Sequence, residues 1–126
     1  MQVLKLINEQ MDILSIPYEF GEWTATTQTY PYFVGEVLSN ETMLAEDGMT
    51  ETNFILTGFH RGKAIQLETI KERIRKHFNA VSGLRVKTDS GAIVALYDGS
   101  FYIPSGEADL KKIQINIKIL EWKGDI

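Results

Sequence analysis

Residues Ile113-Gln114-Ile115-Asn116-Ile117-Lys118-Ile119 alternate apolar and polar side chains over seven positions. A strand sends successive side chains to opposite faces, so this period of two gives one apolar face and one wet face. That pattern belongs to a half-buried strand of an antiparallel sheet. A register slip of one residue would put all four isoleucines in water, so the pairing of this strand is well specified.

Working backwards from this strand, Leu84–Thr88 and Ala92–Tyr97 read as short strands separated by the turn-like Asp89-Ser90-Gly91. Asp98-Gly99 is a two-residue hairpin signal before Ser100–Ile103, and Pro104-Ser105-Gly106 breaks the pattern. Residues 63–80 form the clearest helix. Leu67, Ile70, Ile74, Phe78 and then Val81 step along one face, and Gly83 is a natural stop. Glu72 and Lys76 form a favourable pair on its outer side. The bases late in this helix complement its dipole.

The first half reads similarly. Residues 2–15 form a helix with Val3, Ile7, Met11 and Leu14 at helical spacing, ended by Pro17. Residues 18–38 are rich in Tyr, Phe, Trp and Val and read as two strands separated by the polar stretch 24–29. Pro31 suits a strand start or a sheet edge. Residues 39–52 read as a loop with four acids, and residues 53–61 as a strand. No repeat, low-complexity tract or linker divides the chain, so residues 1–126 read as one domain. The expected fold class is α+β, a mostly antiparallel sheet with two amphipathic helices packed on one face. The expected order is helix, two to three strands, helix, hairpin, strand.

The 126 residues carry a formal charge of −4, contain no cysteine and are 44% apolar. The absence of cysteine excludes disulfide frameworks, thiolate catalysis and Cys-type metal centres. No apolar run approaches the ~20 residues of a membrane span, and no secretory leader is evident. The charge is unevenly spread. Residues 1–52 hold one base, Lys5, against nine acids. Residues 53–88 hold eight bases against Glu68 and Glu72. Residues 89–126 hold four bases against six acids. Either these segments interleave in space and the field averages out, or the molecule carries an acidic and a basic surface suited to pairing.

Catalytic signals are weak. His60 and His77 lack a second histidine at helical spacing, so a metal site is unsupported. There is no nucleophile elbow, no phosphate-binding glycine loop and no dinucleotide fingerprint. Glu46-Asp47-Gly48 lacks the alternating ligands of a calcium loop and reads as a turn. No cofactor is expected. The run Lys71–His77 (KERIRKH) is compatible with phosphate contacts, but Glu72 interrupts it and Ile74 belongs to the core stripe. The acidic loop contains Met43, Leu44 and Met49, apolar residues that either dock on the same domain or meet another molecule.

The order of segments resembles the tail-completion, or tail-terminator, proteins of long-tailed bacteriophages and prophages. The resembling parts are the leading helix, the aromatic strand Tyr30-Pro31-Tyr32-Phe33-Val34-Gly35-Glu36-Val37, and the acidic loop with Glu46-Asp47-Gly48-Met49-Thr50-Glu51. The strand 53–61, the helix 64–78 that directly follows it and the late alternating strand 113–122 complete the likeness. The resemblance implies a structural virion protein and not an enzyme. Such a protein forms a ring, typically of six copies, that caps the tail tube and joins it to the head connector. Its implied partners are therefore itself, the tail-tube protein and the connector, with non-specific proximity to DNA in the ring channel and no membrane. It would assemble in the bacterial cytoplasm and end at the head–tail interface of the virion. The residues expected at an oligomer or connector interface are Glu41, Met43, Leu44, Glu46, Asp47, Met49 and Glu51 of the loop, and Lys71, Arg75 and Lys76 of the second helix. The alternative is a small nucleic-acid- or protein-binding module using the basic face of helix 63–80.

Overall fold

A computed structural model gives the structure and describes residues 2–21, 30–42, 49–79, 81–88 and 91–123. The elements run α1 (Gln2–Ile13), β1 (Tyr18–Phe20), β2 (Tyr32–Thr42), β3 (Met49–Arg61), α2 (Ala64–His77), β4 (Leu84–Thr88), β5 (Gly91–Ile103) and β6 (Leu110–Lys123). The strands form one six-stranded sheet in the order β1-β2-β3-β6-β5-β4. The alternating isoleucine strand lies inside it as β6, between β3 and β5. Ile113, Ile115, Ile117 and Ile119 are all buried. Across from them stand Gly58, Leu56, Phe54 and Thr52 of β3.

The expected mostly antiparallel sheet with both helices on one face is corrected. Strands make up more than half of the described residues, and the sheet is mixed and curled. The parallel component is β1 against β2, with Tyr18, Glu19 and Phe20 opposite Phe33, Val34 and Gly35. Phe33 N–H donates to Pro17 O and Gly21 N–H to Gly35 O, which extends this short ladder at both ends. A three-residue strand is too short to carry a pattern that reveals its partner or direction. The curl has local causes as well. Register breaks fall between Val37 and Ser39 in β2 and between Tyr97 and Ser100 in β5. A bulge bends its strand and increases the local twist.

Asp98-Gly99 is therefore not the turn of a hairpin. It is the bulge in a continuous β5, with Gly99 at φ 109°. Aspartate and glycine tolerate the backbone of a bulge as readily as that of a turn, so the dipeptide alone does not separate the two. The loop expected over residues 39–52 is shorter: β2 runs to Thr42 and β3 begins at Met49. Val81 does not extend the apolar face of α2. It follows the helix in a turn and is 93% exposed. Asn79 shapes that turn, its Oδ1 accepting the N–H groups of Val81 and Ser82.

The core joins the curled sheet to side chains from both helices. Val3, Leu6, Ile7 and Met11 of α1, with Leu67, Ile74 and the capping Phe78 of α2, share one cluster with Phe33, Phe54, Leu56 and the β6 isoleucines. Two glycines make room for the aromatic rings. A side chain at Gly58 would run into the Phe33 ring, and one at Gly35 would meet Tyr18 and Phe54.

Candidate interaction surfaces

The residues singled out in the acidic loop fall into two groups. Met43, Leu44, Glu46 and Asp47 lie outside the described residues. Glu41, Met49 and Glu51 belong to strands: Glu41 is the register partner of Glu51, and Met49 is that of Trp122 in β6. This hairpin end is thus part of the sheet for longer than its polar composition suggested.

Two of the four Lys and Arg side chains of α2, Lys71 and Arg75, are committed to its own acids. Lys71 Nζ stands 2.5 Å from Glu68 Oε1 and 3.5 Å from Glu72 Oε1, and Arg75 Nη2 lies 2.7 Å from Glu72 Oε2. Tyr102 Oη also donates to Glu68. Hydrogen bonding to Lys71 holds the Glu68 carboxyl below its usual range, and Arg75 does the same for Glu72. Around Lys71 and Arg75 the outer face of α2 is therefore a ladder of alternating sign, while Arg73 donates to Leu14 O and Lys76 is exposed beside it. Glu72, read from sequence as an interruption, and Glu68 neutralise Lys71 and Arg75, two of the run's four Lys and Arg residues.

A different separation of charge appears across the sheet. Glu36 is exposed on β2, with Glu41 further along the same strand, and Glu51 lies on the adjacent β3. Arg85 and Lys87 are exposed on β4 at the far edge. Measured along the curled sheet, β2 and β4 are four strand spacings apart, about 19 Å. That is roughly twice the ~8 Å screening length at physiological salt, so the two patches act as separate fields. Of the two readings of the charge arithmetic, this arrangement supports separated surfaces.

Both edges are open among the described residues. β1 covers β2 only as far as Gly35, so on the side away from β3 residues 36–42 have no described neighbouring strand. Leu38, at the bulge on this open stretch, is 67% exposed. β4 forms the opposite edge of the sheet, paired on one side with β5.

Sequence reasoning did not find two further features. The first is a row of aromatic and cationic side chains. Tyr32 stacks on Phe59 with ring centroids 4.9 Å apart, and Tyr30 lies 5.6 Å from Tyr32. Arg61 stands 5.7 Å from the Tyr30 centroid and Lys112 Nζ 5.5 Å from that of Phe59. Arg61 also pairs with Glu107 at 2.8 Å and Asp109 at 2.9 Å, tying β3 to the turn before β6. Its Nε–H also donates to Tyr30 Oη, and this bond together with those to Glu107 and Asp109 keeps the guanidinium firmly charged. The signal in the sequence is the spacing of two between Tyr30 and Tyr32; Phe59 joins them only when β2 pairs with β3. The second is an apolar hollow of about 350 Å³ bounded by Ala64, Ile65, Glu68 and Tyr102. Ile65 is 65% exposed.

Among the described residues, each histidine is held by a glutamine side chain. His60 Nε2–H donates to Gln66 Oε1 at 2.6 Å, and its Nδ1 is buried with no partner among the described residues. His77 Nε2–H donates to Gln10 Oε1 at 2.7 Å, tying α2 to α1. No cluster of metal-ligating side chains occurs among the described residues. No helix there is long and apolar enough to cross a membrane.

The His77 contact has a pH consequence. Burial pushes its imidazole below the ordinary 6.5, so the folded state binds fewer protons there than the unfolded chain does. Stability therefore falls as pH drops through and below 6.5. The expected result is a loss of denaturation midpoint between pH 7 and pH 5 that is flattened in His77→Gln. An equal loss in that variant would assign the pH dependence to other groups.

The chain matches no protein-family model and no curated protein.

Proposed function

We propose that this chain is a self-assembling structural protein of a long-tailed phage or prophage, which caps the tail tube as a ring and joins it to the head connector. The observation that carries the reading is the opposition of charge across the sheet, acidic at β2 and β3 and basic at β4. A ring needs two different surfaces on each copy that fit each other. This layout supplies such surfaces, and the resemblance of segment order supplies the family. The alternative of a nucleic-acid-binding helix loses support, because Lys71 and Arg75 are paired to Glu68 and Glu72.

Electron microscopy of the purified chain, alone and mixed with siphophage tail tubes lacking a completion protein, tests the proposal. Rings, or caps on tube ends, are expected. Bare tubes and dispersed monomers at all concentrations would overturn it.

A further inference from the structure

We propose that copies of the chain join edge to edge, the stretch 36–42 of β2 in one copy, open among the described residues, pairing in parallel with β4 (Leu84–Thr88) of the next. The inference rests on the ring-forming reading above and specifies its joint.

The direction follows from the topology. From β2 through β3, β6 and β5 to β4 every pairing is antiparallel, so β2 and β4 run the same way. Copies related by rotation about an axis along the strands keep that sense, and their facing edges are parallel.

The faces also match. Glu36 pairs through Ile55 with Asn116, and Arg85 pairs through Val94 with Leu120. Both therefore lie on the side of the sheet opposite the buried isoleucines of β6. On the inner side, Val37 of β2 and Leu84 and Val86 of β4 already pack against the core. A continued sheet thus carries its apolar layer across the joint and sets Glu36 beside the exposed Arg85 and Lys87.

Charge selects this joint over the symmetric ones. Opposite charges on neighbouring strands stabilise their pairing and like charges oppose it. Two β2 edges would bring Glu36 against its own copy, and two β4 edges would bring Arg85 and Lys87 together. Unpaired edges invite indiscriminate pairing, and charge together with a bulge is the usual protection against it. Here the protection on one edge complements that on the other. A head-to-tail joint of this kind closes into a ring when the rotation per copy allows.

Charge exchange provides the test. One variant carries Glu36→Lys and Glu41→Lys, which makes both edges basic. A second carries Arg85→Glu and Lys87→Glu, which makes both acidic. Circular dichroism checks that each remains folded. Each variant alone is expected to associate about tenfold more weakly or worse than the parent chain. An equimolar mixture should recover rings in which the two variants alternate. Rings formed as well by each variant alone as by the parent would overturn the edge joint while leaving ring formation standing. Loss in each variant with no recovery on mixing would likewise place the joint elsewhere. No ring from the parent chain, alone or on tail tubes, would overturn the ring-forming reading itself.

Discussion

Replacing Phe33 by alanine is expected to cost about 3–5 kcal/mol of folding stability. The ring is fully buried and lies over Gly58, its register partner on β3. A Cβ at residue 58 would stand only 2.5 Å from Phe33 Cζ. The ring belongs to the packed core and has no vacant space to move into, so Gly58→Ala alone is expected to cost about 1–3 kcal/mol through overpacking. The two losses should not add. Once the ring is gone, the alanine at 58 meets no obstruction, fills part of the cavity and supplies the side chain a strand interior prefers. The double variant Phe33→Ala/Gly58→Ala should then be more stable than additivity predicts by about 1–3 kcal/mol. Denaturant unfolding of the four proteins measures the coupling. Additive losses would mean that the contact between ring and glycine does not organise the centre of the sheet.

That glycine also shows why part of the fold was legible in the sequence and part was not. The buried isoleucines of β6 and the apolar stripe of α2 announce themselves locally, since each is a periodicity within one segment. What a strand pairs with is not local. Phe33 and Gly58 are separated by 25 positions, and neither residue predicts the other until β2 and β3 are in register. The strand at β1 was legible, but its parallel direction was hidden for the same reason, since three residues are too short to carry a period. Asp98-Gly99 misled because its backbone preference fits a bulge and a turn equally. At the candidate surfaces, residue types marked the charged segments but not their neutralisation. Glu68 and Glu72 cancel Lys71 and Arg75 at helical spacing, whereas Arg85 and Lys87 lie on an edge strand away from the acids of β2. The sequence contained the charge asymmetry. The sheet order supplied its direction.

The alternation in β6 yields the second large effect. Ile115 is completely buried, facing Leu56 on one neighbouring strand and Ser100 on the other. Ile115→Asn removes an apolar side chain from a packed site and places an amide there without a built-in partner. Cavity formation and polar desolvation act together, so a loss above about 4 kcal/mol is expected. For a domain whose whole stability is of order 5–15 kcal/mol, that is enough to populate the unfolded state. The reciprocal change one residue along, Asn116→Ile, should be mild. It removes one hydrogen bond, from Gln114 Nε2 to Asn116 Oδ1 at 3.1 Å, at a half-buried position. A side chain that favours strands replaces it, and the net change should lie within about 1 kcal/mol. The pair separates the two faces without relying on assembly, because both substitutions are read in the isolated chain by unfolding. A small loss at 115 with a large one at 116 would mean that β6 pairs one residue out of register, which would turn its four isoleucines outward. With the register as found, the same face that makes Ile115 irreplaceable fixes which side of β2 and β4 is left for Glu36, Arg85 and Lys87. The specificity of the proposed joint is therefore inherited from the pattern that holds the core.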